Sequence, residues 1–282
     1  MKLAGEIAIV TGSGRGIGRA IAEAQAREGA RVALVSRSSS EIGTVAAAIE
    51  AAGGVAKAYP CDVLDLAAVI RLVARVEADF GPVTLVTNNA ASFKAIGPIW
   101  TVDPDEWWTD VETNLRGPFN CSRAVLPGML ARKRGRIINL VGGGTANSFP
   151  NGSGYGTSKA GLLRFTESVS DTLAGTGVKM FAMDPGLVRT SMTDYQRSSE
   201  AGQRYLPDLP TLFDNRIDVP PTMAARLSVE IASGRFDALA GRMLMAARGD
   251  LDLDADAVQA IIDGDLRSLR VNGMPKERPR AE

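Results

Sequence analysis

Thr11-Gly-Ser-Gly-Arg-Gly-Ile-Gly18 follows directly on the apolar run Ile7-Ala-Ile-Val10. The run reads as a buried strand over Ile7–Thr11. The residues from Ile17 onward read as a helix that Gly29 ends. A glycine-rich turn between a strand and a helix is a phosphate site in outline. Glycine lets the backbone turn sharply and approach an anion closely, while the helix N-terminus offers free N–H groups and the positive end of its dipole. The spacing does not fit G-x-G-x-x-G, because counting from Gly12 places Ile17 at the third glycine. It fits Thr-Gly-x-x-x-Gly-x-Gly.

Outward from this turn the chain alternates strand and helix with little filler. Strands are predicted over Arg31–Ser36, Val55–Tyr59, Val83–Thr87, Arg136–Val141, Val178–Ala182 and, shorter, Leu239–Met245. Helices are predicted over Glu41–Ala52, across Leu66, Val69, Val73, Val76 and Phe80, from Pro104 towards Met129, over Tyr155–Ala174, and from Pro220-Pro221 through Ile231. Asp103 is a suitable N-cap for the helix that opens with Pro104 and carries Glu106. Strands joined by helices of this length pair in parallel through right-handed crossovers. Strands of unbroken Val, Ile and Leu fit a sheet covered on both faces. The fold class is therefore α/β, doubly wound, with ligands at the carboxyl ends of the strands.

Composition limits the chemistry. The chain has 282 residues, 45% hydrophobic and 23% charged, with zero net charge. Nothing in that balance calls for a nucleic acid or a membrane as partner. There is no histidine, which removes Ser-His-Asp and Cys-His catalysis and imidazole metal sites. Cys61 and Cys121 form no metal or redox motif. No metal is expected, and the cytoplasm is the expected compartment.

In Ser153-Gly-Tyr-Gly-Thr-Ser-Lys159, four residues separate Tyr155 from Lys159. On a helix this spacing puts both on one face. A neighbouring ammonium favours the phenolate, so the pair is expected to bring the phenol below its ordinary value of about 10 and make it an acid/base near neutral pH.

Taken together, Thr11-Gly12-x-x-x-Gly16-Ile17-Gly18, Asn88-Asn89-Ala90, Tyr155-x-x-x-Lys159 and Pro185-Gly186-Leu-Val188-x-Thr190 resemble the short-chain dehydrogenase/reductase family over roughly residues 4–245. The resemblance implies a Rossmann-type sheet of seven parallel strands with helices on both faces. It also implies a nicotinamide dinucleotide and hydride transfer between that cofactor and a small-molecule ketone or secondary alcohol. Tyr155 would protonate the carbonyl oxygen. Lys159 would lower the phenol's pKa and hold the nicotinamide ribose. Asn114 would support a proton-relay water. Asn89 and Ala90 would lie along the cofactor, Asp62 and Val63 at its adenine, and Pro185, Gly186, Val188 and Thr190 beside the nicotinamide. A homodimer or homotetramer, formed through the helices carrying Asn114 and Tyr155, is the family habit.

The cofactor is expected to be NADP(H). An NAD site carries an acid about 20 residues beyond the glycine turn, whereas here strand two ends Val35-Ser36-Arg37-Ser38. Arg37 suits a 2′-phosphate, Arg15 adds a second charge, and Ser36 and Ser38 can donate hydrogen bonds.

One position departs from the family pattern. The serine thirteen residues before the tyrosine is replaced by Gly142, in Asn139-Leu-Val-Gly-Gly-Gly-Thr145. Three readings are open there. Thr145 or Ser153 supplies the hydroxyl, the N–H groups of Gly142–Gly144 form a nest, or the protein has left carbonyl reduction. The third leaves a non-redox enzyme such as a cyclase or dehydratase, or a nucleotide-sensing binding protein. Phe93, Phe149, Met192, Tyr195 and Tyr205 are candidates to line an apolar substrate pocket. Residues 1–250 read as one domain, with a substrate loop near 191–219 of little periodicity. Residues 251–282 read as a C-terminal extension, disordered in part and ending Pro275–Glu282.

Overall fold

The computed structural model describes residues 1–271. Its strands are β1 (Ile7–Thr11), β2 (Arg31–Ser36), β3 (Val55–Pro60), β4 (Leu85–Asn88), β5 (Gly135–Leu140), β6 (Val178–Asp184) and β7 (Met243–Met245). They form one sheet in the order β3-β2-β1-β4-β5-β6-β7, and every pairing is parallel. The order reverses between β1 and β4, which opens a crevice at the strands' carboxyl ends.

Strand periodicity divides the core. Ala8 and Val10 of β1, with Val32 and Leu34 of β2, face one cluster. Ile7, Ile9, Ala33 and Val35, one residue out of phase, face the other. Helices α1 (Gly16–Arg27), α2 (Ser39–Ala51) and α10 (Pro221–Ala232) cover the first face. Helices α3 (Leu66–Phe80) and α5 (Gly117–Arg132) cover the second, with Phe165 and Val169 of α6 (Ser153–Thr172). A strand buried on both sides needs apolar residues at every position, which is why these strands read as unbroken runs.

Three segments refine the sequence expectation. The helix starting at Pro104 is α4 (Pro104–Val111), a π-helical turn over Glu112–Arg116, and then α5. The π turn inserts one extra residue at Asn114, a feature common at functional sites. Residues 191–219 are helical where a loop was expected, forming α7 (Ser191–Ser198), α8 (Glu200–Tyr205) and α9 (Leu209–Asp214). Each is too short to display an apolar period. Their starts are fixed locally by the Thr190 capping box, by Ser199 accepting from the Gly202 N–H, and by a proline in the first turn of α9.

The beginning of the C-terminal extension is built into the fold. Helix α11 (Ala255–Asp263) buries Ile261 against the first core cluster. Beyond it, the Arg267 carbonyl accepts the Met243 N–H at the outer edge of β7. The buried Asp250 carboxylate binds Arg267 at 2.5 Å, and Glu167 accepts the Leu269 N–H at 2.7 Å. Pro275–Glu282, expected to be disordered, lie outside the described residues.

Candidate active site

The glycine turn sits where β1 hands over to α1. Gly12 and Gly16 adopt φ +64° and +56°, a region that favours glycine. A Cβ on Gly18 would stand 2.4 Å from the Gly12 carbonyl oxygen. Asn89 donates its amide to the carbonyls of Thr11 (2.9 Å) and Gly12 (3.1 Å), and the Thr11 hydroxyl accepts the N–H groups of Asn89 and Ala90. The Asn88-Asn89-Ala90 segment thus stitches β4 to the turn.

Two observations fit a bound dinucleotide phosphate. Among the described residues, no side chain caps the N-terminus of α1, and the fully buried Ser13 hydroxyl has no partner. An uncapped helix start leaves N–H groups and a positive dipole end for an anion. Ile17 packs against the first core cluster and fixes the start of α1. Arg37 is exposed at the end of β2 and forms no ion pair among the described residues. Ser36 and Ser38 bond to one another across it. Arg15 is shared with Glu41, at 3.3 Å. This exposed pair contributes at most about 1 kcal/mol, so it is a weak competitor for the guanidinium.

Asp62 spends one carboxylate oxygen on the N–H of Leu64 (3.0 Å). Val63 is buried, and Asn120 donates to its carbonyl at 2.8 Å. This pair therefore fixes the turn after β3, with Asp62 on the exposed rim.

Tyr155 and Lys159 lie on one face of α6. Lys159 is buried and donates to the Leu140 carbonyl at 2.8 Å. Its Nζ lies 5.5 Å from the centre of the Tyr155 ring. The expected direction of the tyrosine's shift is reversed. Burial pushes the phenol above its ordinary value, and the Asp184 and Asp110 carboxylates add to the effect. The same burial lowers Lys159 to about 8, against the pull of Asp184. Burial first, and the two carboxylates after it, therefore set the direction, and Tyr155 is a protonated acid at neutral pH.

Asn114 is fully buried at the π turn. Its carbonyl accepts the Ser92 N–H (2.8 Å), and its amide donates to the Ser92 carbonyl (2.8 Å) and the Ser158 hydroxyl (3.0 Å). The Ser158 hydroxyl donates in turn to the Tyr155 carbonyl at 2.6 Å. Asn114 thus ties the strand β4 exit to the helix bearing Tyr155, and among the described residues no direct hydrogen bond links it to Lys159.

The loop after β5 corrects two expectations about the missing serine. A Cβ on Gly142 would lie 2.9 Å from the Tyr155 hydroxyl, so the position does face the phenol. Thr145, however, donates its hydroxyl to the Gly142 carbonyl (2.6 Å) and accepts the Gly142 N–H (3.1 Å). It closes its own loop, and it removes Gly142 from any nest of N–H donors. Ser153 accepts the Trp107 indole N–H at 3.0 Å, on the side of α6 that packs against α4. Among the described residues, no side-chain hydroxyl bonds to the phenol oxygen of Tyr155.

After β6, Asp184 accepts the Gly186 N–H at 2.9 Å. Pro185 and Val188 are buried. A Cβ on Gly16 would meet the Thr190 methyl at 3.3 Å, so Thr190 overhangs the glycine turn. The Val219 N–H to Leu187 carbonyl bond (2.8 Å) closes the neck of the helical insertion. Met192 lies in the first turn of α7. Of the other apolar candidates, Phe93 and Phe149 gather at Tyr155. Tyr195 is exposed, and the Tyr205 ring covers Gly97.

Several residues of this site escape sequence reasoning. Asp110 is fully buried and accepts from the Ser92 hydroxyl and from the N–H groups of Lys94 and Ala95. Its one signal is its place four residues before Asn114 on the same helical rod. Asn151 adopts φ +61°. Its carbonyl accepts the Gly97 N–H (2.8 Å) and its amide donates to the Tyr205 carbonyl (3.2 Å), joining three loops around the cleft. Glu41 and Asp184 also went unread, because their partners are distant in sequence or belong to a turn.

The sequence matches the short chain dehydrogenase family over residues 6–201. It is 38% identical to a short chain dehydrogenase of Pseudocercospora fijiensis, over 68% of this chain and 62% of that one. It is 35% identical to the 3-oxoacyl-[acyl-carrier-protein] reductase FabG of Escherichia coli, over 68% of this chain and 78% of that one. A solved metagenomic short-chain oxidoreductase in complex with NADP superposes with a TM-score of 0.69 at 31% identity, covering 83% of this chain and 93% of that one.

Proposed function

The chain belongs to the short chain dehydrogenase family, and on that premise we propose that it is an NADPH-dependent oxidoreductase acting on ketones and secondary alcohols. One observation carries the reading. A phenol without a hydrogen-bond partner among the described residues, Tyr155, stands one helical turn from the buried Lys159, in the crevice that also holds the uncapped start of α1.

The glycine turn and the N-terminus of α1 hold the pyrophosphate, Arg37 with Ser36 the 2′-phosphate, and Asn89, Ala90, Val188 and Thr190 the nicotinamide side. When bound, the nicotinamide supplies or accepts the hydride. Tyr155, protonated at neutral pH, gives its proton to the substrate oxygen during reduction and recovers it during oxidation. Lys159 keeps positive charge next to that phenol and hydrogen-bonds the ribose. Asn114 holds the backbone on which Tyr155 rides. The NADP-bound structural relative and the acid-free end of β2 support NADPH over NADH.

The lack of a side-chain hydroxyl at Gly142, beside the phenol, favours a second reading, a non-redox enzyme or nucleotide-sensing protein that keeps the cofactor as structure or signal. A panel of ketones with NADPH, followed by loss of NADPH absorbance, separates the two. Turnover by the wild type with a loss of at least about 100-fold in Tyr155→Phe supports the reductase. NADPH binding without turnover across the panel supports the alternative.

A homo-oligomer belongs to the same proposal. Between α5 and α6 lies an apolar groove of about 630 Å³ lined by Val111, Leu115, Phe119, Gly161 and Phe165, and Phe119 is 45% exposed. Two unpaired cysteines, Cys61 and Cys121, suit a reducing cytoplasm.

A further inference from the structure

The residue that stands in for the missing serine is not a hydroxyl. Phe149 lies in a seat made by four glycines. A Cβ on Gly143 would stand 2.9 Å from the Phe149 ring, one on Gly152 2.4 Å from it, and ones on Gly144 and Gly156 3.1 and 3.3 Å from its Cβ. Glycine at these positions is what gives the ring room. From the seat, Phe149 meets Phe93 edge-on at 5.5 Å and 72°. Phe93 stacks face to face on Tyr155 at 4.5 Å and 12°. Phe149 also touches the Tyr155 ring directly, at 6.2 Å and 60°. Phe93 is itself buried, so the stack is held from behind.

A phenol at the start of a helix has two torsions to fix. With no hydroxyl donor beside it, its orientation falls to the rings. An aromatic pair contributes beyond its burial through the geometry of the two rings, and here two pairs act on Tyr155. We propose that Phe149, directly and through Phe93, is the positioning residue of the Tyr155 phenol, and that Gly143 and Gly144 serve to seat it. The inference rests on Tyr155 being the acid/base. It also explains why three glycines follow β5. The first leaves the phenol its place, and the next two admit the ring.

The test is a double-mutant cycle on Phe149→Ala and Gly143→Ala, with cyclohexanone and acetophenone as probe ketones and NADPH as reductant. Gly143 is exposed and its φ is not positive, so its methyl disturbs the ring rather than the backbone. Each single variant is expected to lower kcat by about 10- to 100-fold while NADPH affinity stays within about twofold. The double variant should be no worse than Phe149→Ala, because the vacated seat accepts the methyl. Phe149→Tyr, which keeps the ring, should restore most of kcat. Losses that multiply in the double variant, or a Phe149→Ala variant changed in KM alone, overturn the proposal.

A second arm needs no turnover. The near-ultraviolet circular dichroism that Tyr155 contributes, taken as the difference on Tyr155→Phe, should weaken markedly in the Phe149→Ala background, since a ring released from its neighbours loses its fixed orientation. A Tyr155 contribution that Phe149→Ala leaves unchanged refutes the positioning role, even if neither ketone is reduced. A Tyr155→Phe variant that retains full activity refutes the acid/base reading instead, and leaves the dichroism to judge the packing.

Discussion

Two glycine runs follow two strands of the same sheet, and they are glycine for different reasons. At Gly12, Gly16 and Gly18 of the first run the constraint is largely the backbone. Gly12 and Gly16 need positive φ, and a side chain on Gly18 would strike the Gly12 carbonyl. In Gly142–Gly144 the constraint comes largely from other side chains, the Tyr155 hydroxyl at Gly142 and the Phe149 ring at Gly143. Gly144, at φ +81° and with the Gly156 backbone 2.6 Å from its would-be Cβ, shares both constraints. The first run makes a surface for a phosphate. The second makes space for a ring. A backbone constraint has no repair short of remodelling the turn, whereas a side-chain constraint yields if the neighbour moves. The two runs should therefore answer substitution with very different severity.

The largest effect is expected at the first run. Gly18→Ala places a methyl 2.4 Å from the Gly12 carbonyl oxygen and 2.4 Å from the Asn89 amide. Overpacking of this kind costs about 1–3 kcal/mol of stability. Because it splays the turn from β4, NADPH affinity should fall by at least about 100-fold, some 2.7 kcal/mol of binding. Thermal unfolding and NADPH fluorescence titration measure the two losses. A Gly18→Ala protein that binds NADPH normally would erase the distinction between the runs.

The second run gives a smaller effect with a counterintuitive sign. Gly142→Ser restores the hydroxyl found in the family pattern, yet its Cβ would lie 2.9 Å from the Tyr155 hydroxyl. Either the phenol or the loop must yield, and the phenol is held by Phe93 and Phe149. Ketone reduction should therefore fall on the order of 10-fold, as expected for a displaced reacting group, with stability nearly unchanged. A Gly142→Ser variant faster than wild type would show that the rings leave the phenol free to adjust.

The same contrast explains what the sequence makes legible. The turn Thr11–Gly18 is read from eight consecutive residues, because its partners, the strand before it and the helix after it, adjoin it in the chain. The doubly wound sheet is read as easily, since burial on both faces shows in each strand separately. The role of Gly143 is not, because its partner Phe149 meets Tyr155 in part through Phe93, more than fifty residues earlier. Asp110 is hidden in the same way. Its three bonds go to Ser92, Lys94 and Ala95, and only the fold brings that loop over α4. The spacing of Tyr155 and Lys159 places them together correctly, but the direction of the phenol's shift depends on burial that spacing does not report. Helices α7 to α9 escape because six to eight residues are too few for a period to show.

The smallest expected effect concerns the charge beside the first run, and it sharpens what that turn selects. Arg37 is exposed and unpaired among the described residues, whereas Arg15 is drawn 3.3 Å from Glu41. Of the two guanidinium groups, Arg37 is the one free to meet a 2′-phosphate without giving up a partner. Arg37→Asp replaces attraction by repulsion there and offers a carboxylate to an unphosphorylated ribose. Screening at an exposed site limits the gain and the loss alike. The ratio of kcat/KM for NADPH over NADH should fall by about 5-fold, near 1 kcal/mol, with kcat at saturating coenzyme little changed. A ratio that does not move would transfer the selection to Arg15, and Arg15→Ala would then have to show the loss. If neither variant shifts the ratio, the turn binds the pyrophosphate alone and the preference for a phosphorylated coenzyme has no basis in this part of the fold.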